Sequence, residues 1–205
     1  MPDKPLFVTG IGTGIGKTVV SAVLVEKLQA DYWKPIQSGD LDNSDTQTVM
    51  QLVSNATSYL HAEAYRLTQP FSPHKSAAID GITIEPAKIV IPDTSNRLII
   101  EGAGGLMVPL TMNFLMIDLI KQLGAEVVLV TKNYLGSINH TLLSIYALQK
   151  ENIPIKGLIF NGRKDIYSKE AILDYAGLKL LGHLPEYNQL DKKAIIDAGS
   201  YIDGL

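Results

Sequence analysis

The sequence predicts a three-layer α/β fold, with a mostly parallel central sheet flanked by helices on both faces. Three observations predict it. Apolar runs of strand length, such as Leu6-Phe7-Val8-Thr9 and Arg97-Leu98-Ile99-Ile100, lack the in-and-out alternation of a half-buried strand. Segments with helical periodicity alternate with those runs along the chain. Short glycine and proline clusters separate the two kinds of segment.

Taken in order, strand Leu6–Thr9 enters a glycine-rich loop, and a helix follows over Lys17–Gln29, with Val20, Val23, Leu24 and Leu28 on one face. Asp31–Ile36 reads as a second strand, stopped by Pro35 and Gly39. Asn43-Ser44-Asp45 signals a helix start before Val49, Leu52 and Val53. Residues 54–96 carry no readable pattern, being interrupted by Pro70, Pro73, Pro86 and Pro92. The rhythm returns with strand Arg97–Ile100, ending at Glu101-Gly102-Ala103-Gly104-Gly105. A helix is expected over Phe114–Leu123, then strand Val127–Thr131, helix Ser137–Lys150 and strand Ile155–Phe160. Helix Ile166–Tyr175, strand Leu180–Leu184 and a short helix around Ala194 complete the chain. Ligands of such sheets bind beyond the carboxyl ends of the strands, where the loop, Lys34, Glu101 and Asn161 all fall.

Composition narrows the function. The 205 residues read as one domain spanning 1–205. A formal net charge of −3 argues against a nucleic-acid surface. The absence of cysteine excludes disulfides, thiolate metal sites and a cysteine nucleophile, and permits a reducing, cytoplasmic setting. No apolar run approaches the ~18–20 residues that span a bilayer, and the start of the chain lacks a leader pattern. No membrane partner is expected.

Gly10-Ile11-Gly12-Thr13-Gly14-Ile15-Gly16-Lys17-Thr18 carries the first chemistry. Glycines let successive N–H groups curl toward an anion, and a helix start adds its positive dipole end. Lys17 supplies a point charge for the β- and γ-phosphates, and the Thr18 hydroxyl is suited to Mg²⁺. The spacing, with five residues between Gly10 and Gly16, is one longer than the common phosphate loop. Mg²⁺ takes oxygen donors, and the candidates are Asp45 at a helix start and Glu101 at a strand end; Asp45 reads equally well as a helix cap. Asn161 offers a donor and an acceptor to a base edge, yet Asn161-Gly162 is also a turn signal.

The ordered set of motifs resembles the dethiobiotin synthetase family, a branch of the P-loop NTPases, along nearly the whole chain. The resemblance rests on Val8-Thr9-Gly10 through Lys17-Thr18-Val19 and on Lys34-Pro35-Ile36-Gln37-Ser38-Gly39. It continues through Asn43-Ser44-Asp45, Ser72-Pro73-His74, Glu101 to Gly105 with Pro109-Leu110, and Leu135-Gly136-Ser137-Ile138-Asn139-His140. It implies a ligase that carboxylates 7,8-diaminononanoate with CO₂ (bicarbonate) and closes the ureido ring at the expense of ATP. Lys34, Lys17 and Thr13 would be the catalytic residues, Lys34 steadying the carbamate and the transferred phosphate. The implied nucleotide contacts are Gly14, Ile15, Gly16, Lys17, Thr18, Val19, Asp45, Glu101, Gly102, Ala103, Gly104, Asn161, Gly162, Pro185, Glu186 and Tyr187. Thr18, Asp45 and Glu101 would hold Mg²⁺. The resemblance also implies that Thr13 and Ser38 hydrogen-bond the diamine or its carbamate. Gly136, Ser137, Ile138 and Asn139 would receive the substrate carboxylate from across a homodimer interface.

Gly12 and Gly14 stand where acidic residues are common in that family, and Gly162 where Asp is common. His74 is expected to shape the substrate loop, and the four histidines show no metal-ligand spacing. A ParA/MinD-like partitioning or positioning ATPase is the alternative. It would carry a second lysine early in the loop, where this chain has Gly12. A cobyrinate-type amidating ligase would need a glutamine-hydrolysing domain and a cysteine.

Overall fold

The computed structural model describes residues 4–205. Met1–Asp3, part of the stretch read as lacking a leader pattern, lie outside the described residues. Strands β1 (Leu6–Gly10), β2 (Asp31–Trp33), β4 (Leu60–His61), β6 (Leu98–Gly105), β9 (Glu126–Thr131), β10 (Ile155–Asn161) and β11 (Leu180–Leu184) form a seven-stranded sheet, in the order β11-β10-β9-β1-β6-β2-β4. Every named pairing in it is parallel. Two small sheets sit apart: β3 (Ile36–Ser38) with β5 (Tyr65–Leu67), and the hairpin β7 (Pro109–Thr111) with β8 (Phe114–Leu115). The helices are α1 (Lys17–Leu28), α2 (Asp45–Leu52), α3 (Pro73–Asp80), α4 (Met116–Gln122), α5 (Ser137–Lys150), α6 (Ile166–Ala176) and α7 (Lys192–Ala198).

The apolar runs are continuous because successive residues feed different cores. Phe7, Ile100, Val127, Leu129 and Leu158 face a layer built with α4, α5 and α6. Their neighbours Leu6, Val8, Ile99, Val128, Val130 and Ile159 face a layer built with α1, α2 and α7. Strand alternation sends i and i+1 to opposite faces, so a sheet covered on both faces needs apolar residues at both. No helix among the described residues is long and apolar enough to cross a membrane.

Several boundaries differ from the expectations. The strand expected over Asp31–Ile36 ends at Trp33, and Ile36 opens β3 in another sheet. Pro35, between them, has no N–H for a ladder bond. The strand expected to stop at Ile100 continues to Gly105, so Glu101 lies inside β6 rather than beyond it. The helix expected from Phe114 starts at Met116, because Phe114–Leu115 pairs with β7. Residues 54–96 hold β4, β5 and α3.

That excursion is tied to the sheet by one carboxylate. Asp31 Oδ1 accepts from the Tyr59 N–H (2.9 Å) and from Asn96 Nδ2 (3.1 Å). Its Oδ2 accepts from Thr94 Oγ1 (2.6 Å) and faces His61 Nε2 at 3.1 Å. Partners from both ends of the excursion therefore meet on one buried side chain. Burial works against ionisation here, but the donors Thr94, Tyr59, His61 and Asn96 together hold the carboxyl below its ordinary value. Asp31→Ala strands those donors and is expected to lower stability by about 2–4 kcal/mol in denaturant unfolding. The wild-type contribution is present above the unfolded carboxyl value of about 3.9 and is lost as pH falls through the lower folded value. The stability difference between wild type and Asp31→Ala should accordingly shrink on acidification below about pH 4.

Candidate active site

Three parallel strands deliver the chemistry to one cleft. β1 ends at the glycine-rich loop, β2 ends one residue before Lys34, and β6 carries Glu101, paired with Val8 of β1. The cleft has a volume of about 660 Å³ and is lined by residues from Thr13, Gly14, Gly16, Lys17, Thr18, Val19, Lys34, Ser38, Asp45, Glu101, Ala103 and Gly104. Twelve of the residues expected from the sequence thus meet on one rim. Lys34 is only 4% exposed and Glu101 only 1%, so neither is the solvated rim side chain that a strand end by itself would give.

The loop is shaped for an anion. Gly16 is the N-cap of α1 at φ 94°, in the left-handed region, and no side chain caps the helix. The first N–H groups of α1 are thereby left for a ligand, which is the arrangement that binds phosphate. A Cβ on Gly16 would sit 2.0 Å from Asn161 Nδ2. The Lys17 ammonium reaches back to donate to the Gly12 carbonyl at 2.9 Å. Burial lowers Lys17 to about 8; Glu101 pulls it upward, Lys34 adds to the lowering, and Asp45 offsets part of it.

Behind the loop lies a charge cluster in which Lys34 and Glu101 are buried and Asp45 half-buried. Lys34 Nζ pairs with Asp45 Oδ2 and, at 3.2 Å, with Glu101 Oε1. Burial alone would lower the lysine, but the Glu101 and Asp45 carboxylates hold it above its ordinary value, so it is charged. Burial likewise opposes ionisation of Asp45, and Lys34 reverses the effect and holds the carboxyl below its usual range. Asp45 is free to take part because it is not the helix cap. Ser44 is, with a reciprocal Ser44–Gln47 capping box, and Asp45 is the first residue of α2. The Asp45 N–H donates to Gln37 Oε1 at 3.3 Å.

Thr18 Oγ1 lies 2.9 Å from Asp45 Oδ1 and 2.9 Å from Glu101 Oε1. One hydroxyl proton can serve only one of these oxygens. Three hard oxygen donors converging in this way fit Mg²⁺. Among the described residues no cluster of three His, Cys, Asp or Glu side chains offers another metal site.

Other expected residues stand apart from the cleft. The Ile15 side chain packs in the core and its carbonyl accepts from Asn161 Nδ2 at 2.8 Å. Asn161 therefore spends one of its two amide N–H groups on the loop, and keeps the other N–H and its carbonyl for a base. Gly102 abuts the Phe7 ring. Gly162, at φ 97°, faces Glu186, whose Oε1 lies 3.7 Å from where a Gly162 Cβ would be; Pro185 and Tyr187 flank Glu186. Gly136, Ile138 and Asn139 line a separate hollow of about 700 Å³ with Asp165 and Ser168, while Ser137 is buried with its hydroxyl facing the Tyr134 N–H at 3.4 Å. His74 Nδ1 meets Ser72 Oγ at 3.0 Å beside the cleft.

Two residues that sequence reasoning passed over support the cluster. Gln37 holds the start of α2, and Tyr32 Oη donates to Glu101 Oε2 at 2.9 Å. The signal for Tyr32 was present: it stands two residues before Lys34, on the same side of an extended segment.

Comparison with known proteins now decides the family. The chain is 47% identical over 193 residues to the ATP-dependent dethiobiotin synthetase BioD of Cytophaga hutchinsonii, covering 94% of this chain and 93% of the relative. It is 48% identical to the protein of the same name from Christiangramia forsetii, covering 94% and 92%. The chain belongs to the dethiobiotin synthetase family. A family model described as an AAA domain matches residues 4–194. Among solved structures the fold resembles a ParA family ATPase from Chlorobium tepidum (TM-score 0.59, 14% identity, 98% of this chain and 99% of that one). It also resembles the cell division ATPase MinD of Pyrococcus furiosus (TM-score 0.60, 14% identity, 97% and 98%). At that identity the likeness shows the three-layer P-loop fold alone.

Gly16→Ala places a Cβ against Asn161 in a left-handed backbone. It is expected to weaken ATP binding at least tenfold in calorimetry, with the far-ultraviolet circular dichroism of the wild type retained.

Proposed function

We propose that the chain is an ATP-dependent dethiobiotin synthetase, converting 7,8-diaminononanoate, CO₂ and ATP to dethiobiotin, ADP and phosphate. The observation that carries this reading is the buried Lys34 within one cleft with the phosphate loop, in a chain of this family. The reaction brings two anions together, a carbamate and the γ-phosphate, and their approach needs fixed positive charge in a site shielded from water.

The chemistry balances in three steps. One substrate amine adds to CO₂ and loses a proton, giving a carbamate. A carbamate oxygen attacks the γ-phosphorus and ADP leaves. The second amine then attacks the carbamoyl carbon, the ureido ring closes, and phosphate leaves with the carbamate oxygen; a proton is released. Lys17 and the free N–H groups at the start of α1 hold the β- and γ-phosphates. Lys34, charged at neutral pH, faces the carbamate and the transferred phosphoryl group. Thr13 and Ser38 line the cleft where the diamine would hydrogen-bond. Thr18, Asp45 and Glu101 would hold Mg²⁺, which when bound neutralises phosphate charge. No nucleophilic side chain is required, since positioning and charge do the work. Asn161, through its carbonyl and its remaining amide N–H, Gly162 and the Pro185-Glu186-Tyr187 segment would frame the adenine.

We also propose a cytoplasmic homodimer in which a single domain per chain carries the reaction. Gly136 caps α5 at φ 101° with no side-chain cap, leaving N–H groups free for a carboxylate. That helix start is absent from the residues lining its own cleft. Exposed Leu143, Tyr146 and Met107, which line a cavity of about 830 Å³, supply apolar surface for a second subunit, as does exposed Leu135 beside Gly136.

Incubated with the diamine, bicarbonate and Mg-ATP, the protein should release ADP in step with dethiobiotin, and leaving out either the diamine or bicarbonate should stop product formation. ATP turnover without dethiobiotin would overturn the assignment. Lys34→Ala is expected to lower kcat by on the order of a hundredfold or more, with circular dichroism unchanged. Near-normal turnover would remove Lys34 from the chemistry.

A further inference from the structure

We propose that Tyr32 is a positioning residue for the metal site, fixing Glu101 so that one chosen carboxylate oxygen faces Thr18 and Lys34. The inference rests on the metal-ligand reading above and adds to it a residue that touches neither substrate nor metal.

Tyr32 is fully buried, among the largest side chains in the core to be so. It packs in the layer formed by α1 and α2. A phenylalanine would fill the same volume without burying a hydroxyl, which is unfavourable unless bonded. The only feature that distinguishes the two residues is the Oη, and it donates to Glu101 Oε2 at 2.9 Å. The other oxygen, Oε1, faces Thr18 Oγ1 at 2.9 Å and Lys34 Nζ at 3.2 Å. The two oxygens of Glu101 are therefore divided between a structural partner and the cleft.

Without the tyrosine hydroxyl only Thr18 and Lys34, both on the cleft side, would hold the carboxylate against turning about its last torsion, which is broad and two-fold. Either oxygen, or both, can then face the cleft. Tyr32 removes that freedom. It stands on β2, whose register sets Tyr32 beside Ile99 and Trp33 beside Ile100 of β6, the strand that carries Glu101. The donor is thus held by backbone pairing, not by a mobile loop. Groups that orient a metal-ligating carboxylate in this way are worth roughly 10–100-fold in metal affinity. The same strand delivers Lys34, so one three-residue run from Tyr32 to Lys34 places both the orienting donor and the charged partner of Glu101.

The test is Tyr32→Phe, read by Mn²⁺ binding to the ADP complex in electron paramagnetic resonance and by the Mg²⁺ dependence of turnover. The expected result is a rise of roughly tenfold in the Mn²⁺ dissociation constant and in half-saturating Mg²⁺, with kcat partly recovered at high Mg²⁺. Glu101→Gln is expected to show the larger defect, and adding Tyr32→Phe to it should change Mn²⁺ binding little further. Tyr32→Phe that melts at a lower temperature yet binds Mn²⁺ as the wild type does would overturn the inference and leave a packing role. Equal and additive losses in the double variant would overturn it too. A wild-type protein that binds no Mn²⁺ with ADP would instead sink the metal-ligand reading itself. Should Tyr32→Phe not fold, a crystal structure of the wild type with Mg²⁺ and a non-hydrolysable ATP analogue decides. Glu101 reaching the metal through Oε1, with Oε2 still on Tyr32, supports the inference; Oε2 on the metal contradicts it.

Discussion

The site depends on a buried ion cluster. Lys34 and Glu101 are drawn out of water together, with half-buried Asp45 beside them, and isolated charges would not tolerate that environment. The two carboxylates keep the lysine protonated, and the lysine keeps Asp45 ionised. The geometry must be good to repay desolvation, and much of the surrounding structure supplies it. Ser44 caps α2 so that Asp45 is free, Gln37 accepts the Asp45 N–H, and Tyr32 takes the second oxygen of Glu101. Removing Lys34 would leave the buried Glu101 carboxylate without its cation, so the cluster behaves as a unit.

The sheet explains why these groups meet. β1 and β6 are direct neighbours and β2 adjoins β6, so the loop, Glu101 and Lys34 come from three adjacent parallel strands. β2 ends at Trp33, and Pro35 after Lys34 redirects the chain into β3, which carries Ser38 to the cleft. The edge of this arrangement is secured by Asp31, whose carboxylate gathers Tyr59 and His61 from one end of the excursion and Thr94 and Asn96 from the other. Stability at the edge and chemistry at the centre are therefore set within four consecutive residues, Asp31 to Lys34. Asp31 and Trp33 face away from the layer that Tyr32 enters, and β2 can serve both purposes.

Much of this was legible in the sequence because periodicity and loop chemistry act locally. The helix over Ser137–Lys150 and the strand over Leu180–Leu184 have the expected bounds, since each is a long, uninterrupted pattern. The phosphate loop is a contiguous motif and could be read directly. What could not be read is non-local. β4 is two residues long and β5 three, and such strands exist only because β2 and β3 offer them edges. Gly102-Ala103-Gly104-Gly105 reads as a strand stop, yet it remains in β6 because the neighbouring β1 pairs with Gly105. The burial of Lys34 was hidden for the same reason: a lysine after a strand end reads as a solvated side chain until its two carboxylate partners, 11 and 67 residues away, are brought beside it. Asn161 reads as a base contact, and only the fold reveals that one of its two amide N–H groups also holds the Ile15 carbonyl of the phosphate loop.

The central claim is that this charge cluster joins a carbamate to the γ-phosphate, so the oxygen lost on ring closure must travel with the phosphate. The direct measurement is a single-turnover reaction started with C¹⁸O₂, the diamine and Mg-ATP, quenched before CO₂ exchanges with water, with the released phosphate examined by mass spectrometry. The account predicts one ¹⁸O per phosphate, formed in step with dethiobiotin. Dethiobiotin accompanied by unlabelled phosphate would contradict it, because the phosphoryl group would then have gone to water and not to the carbamate.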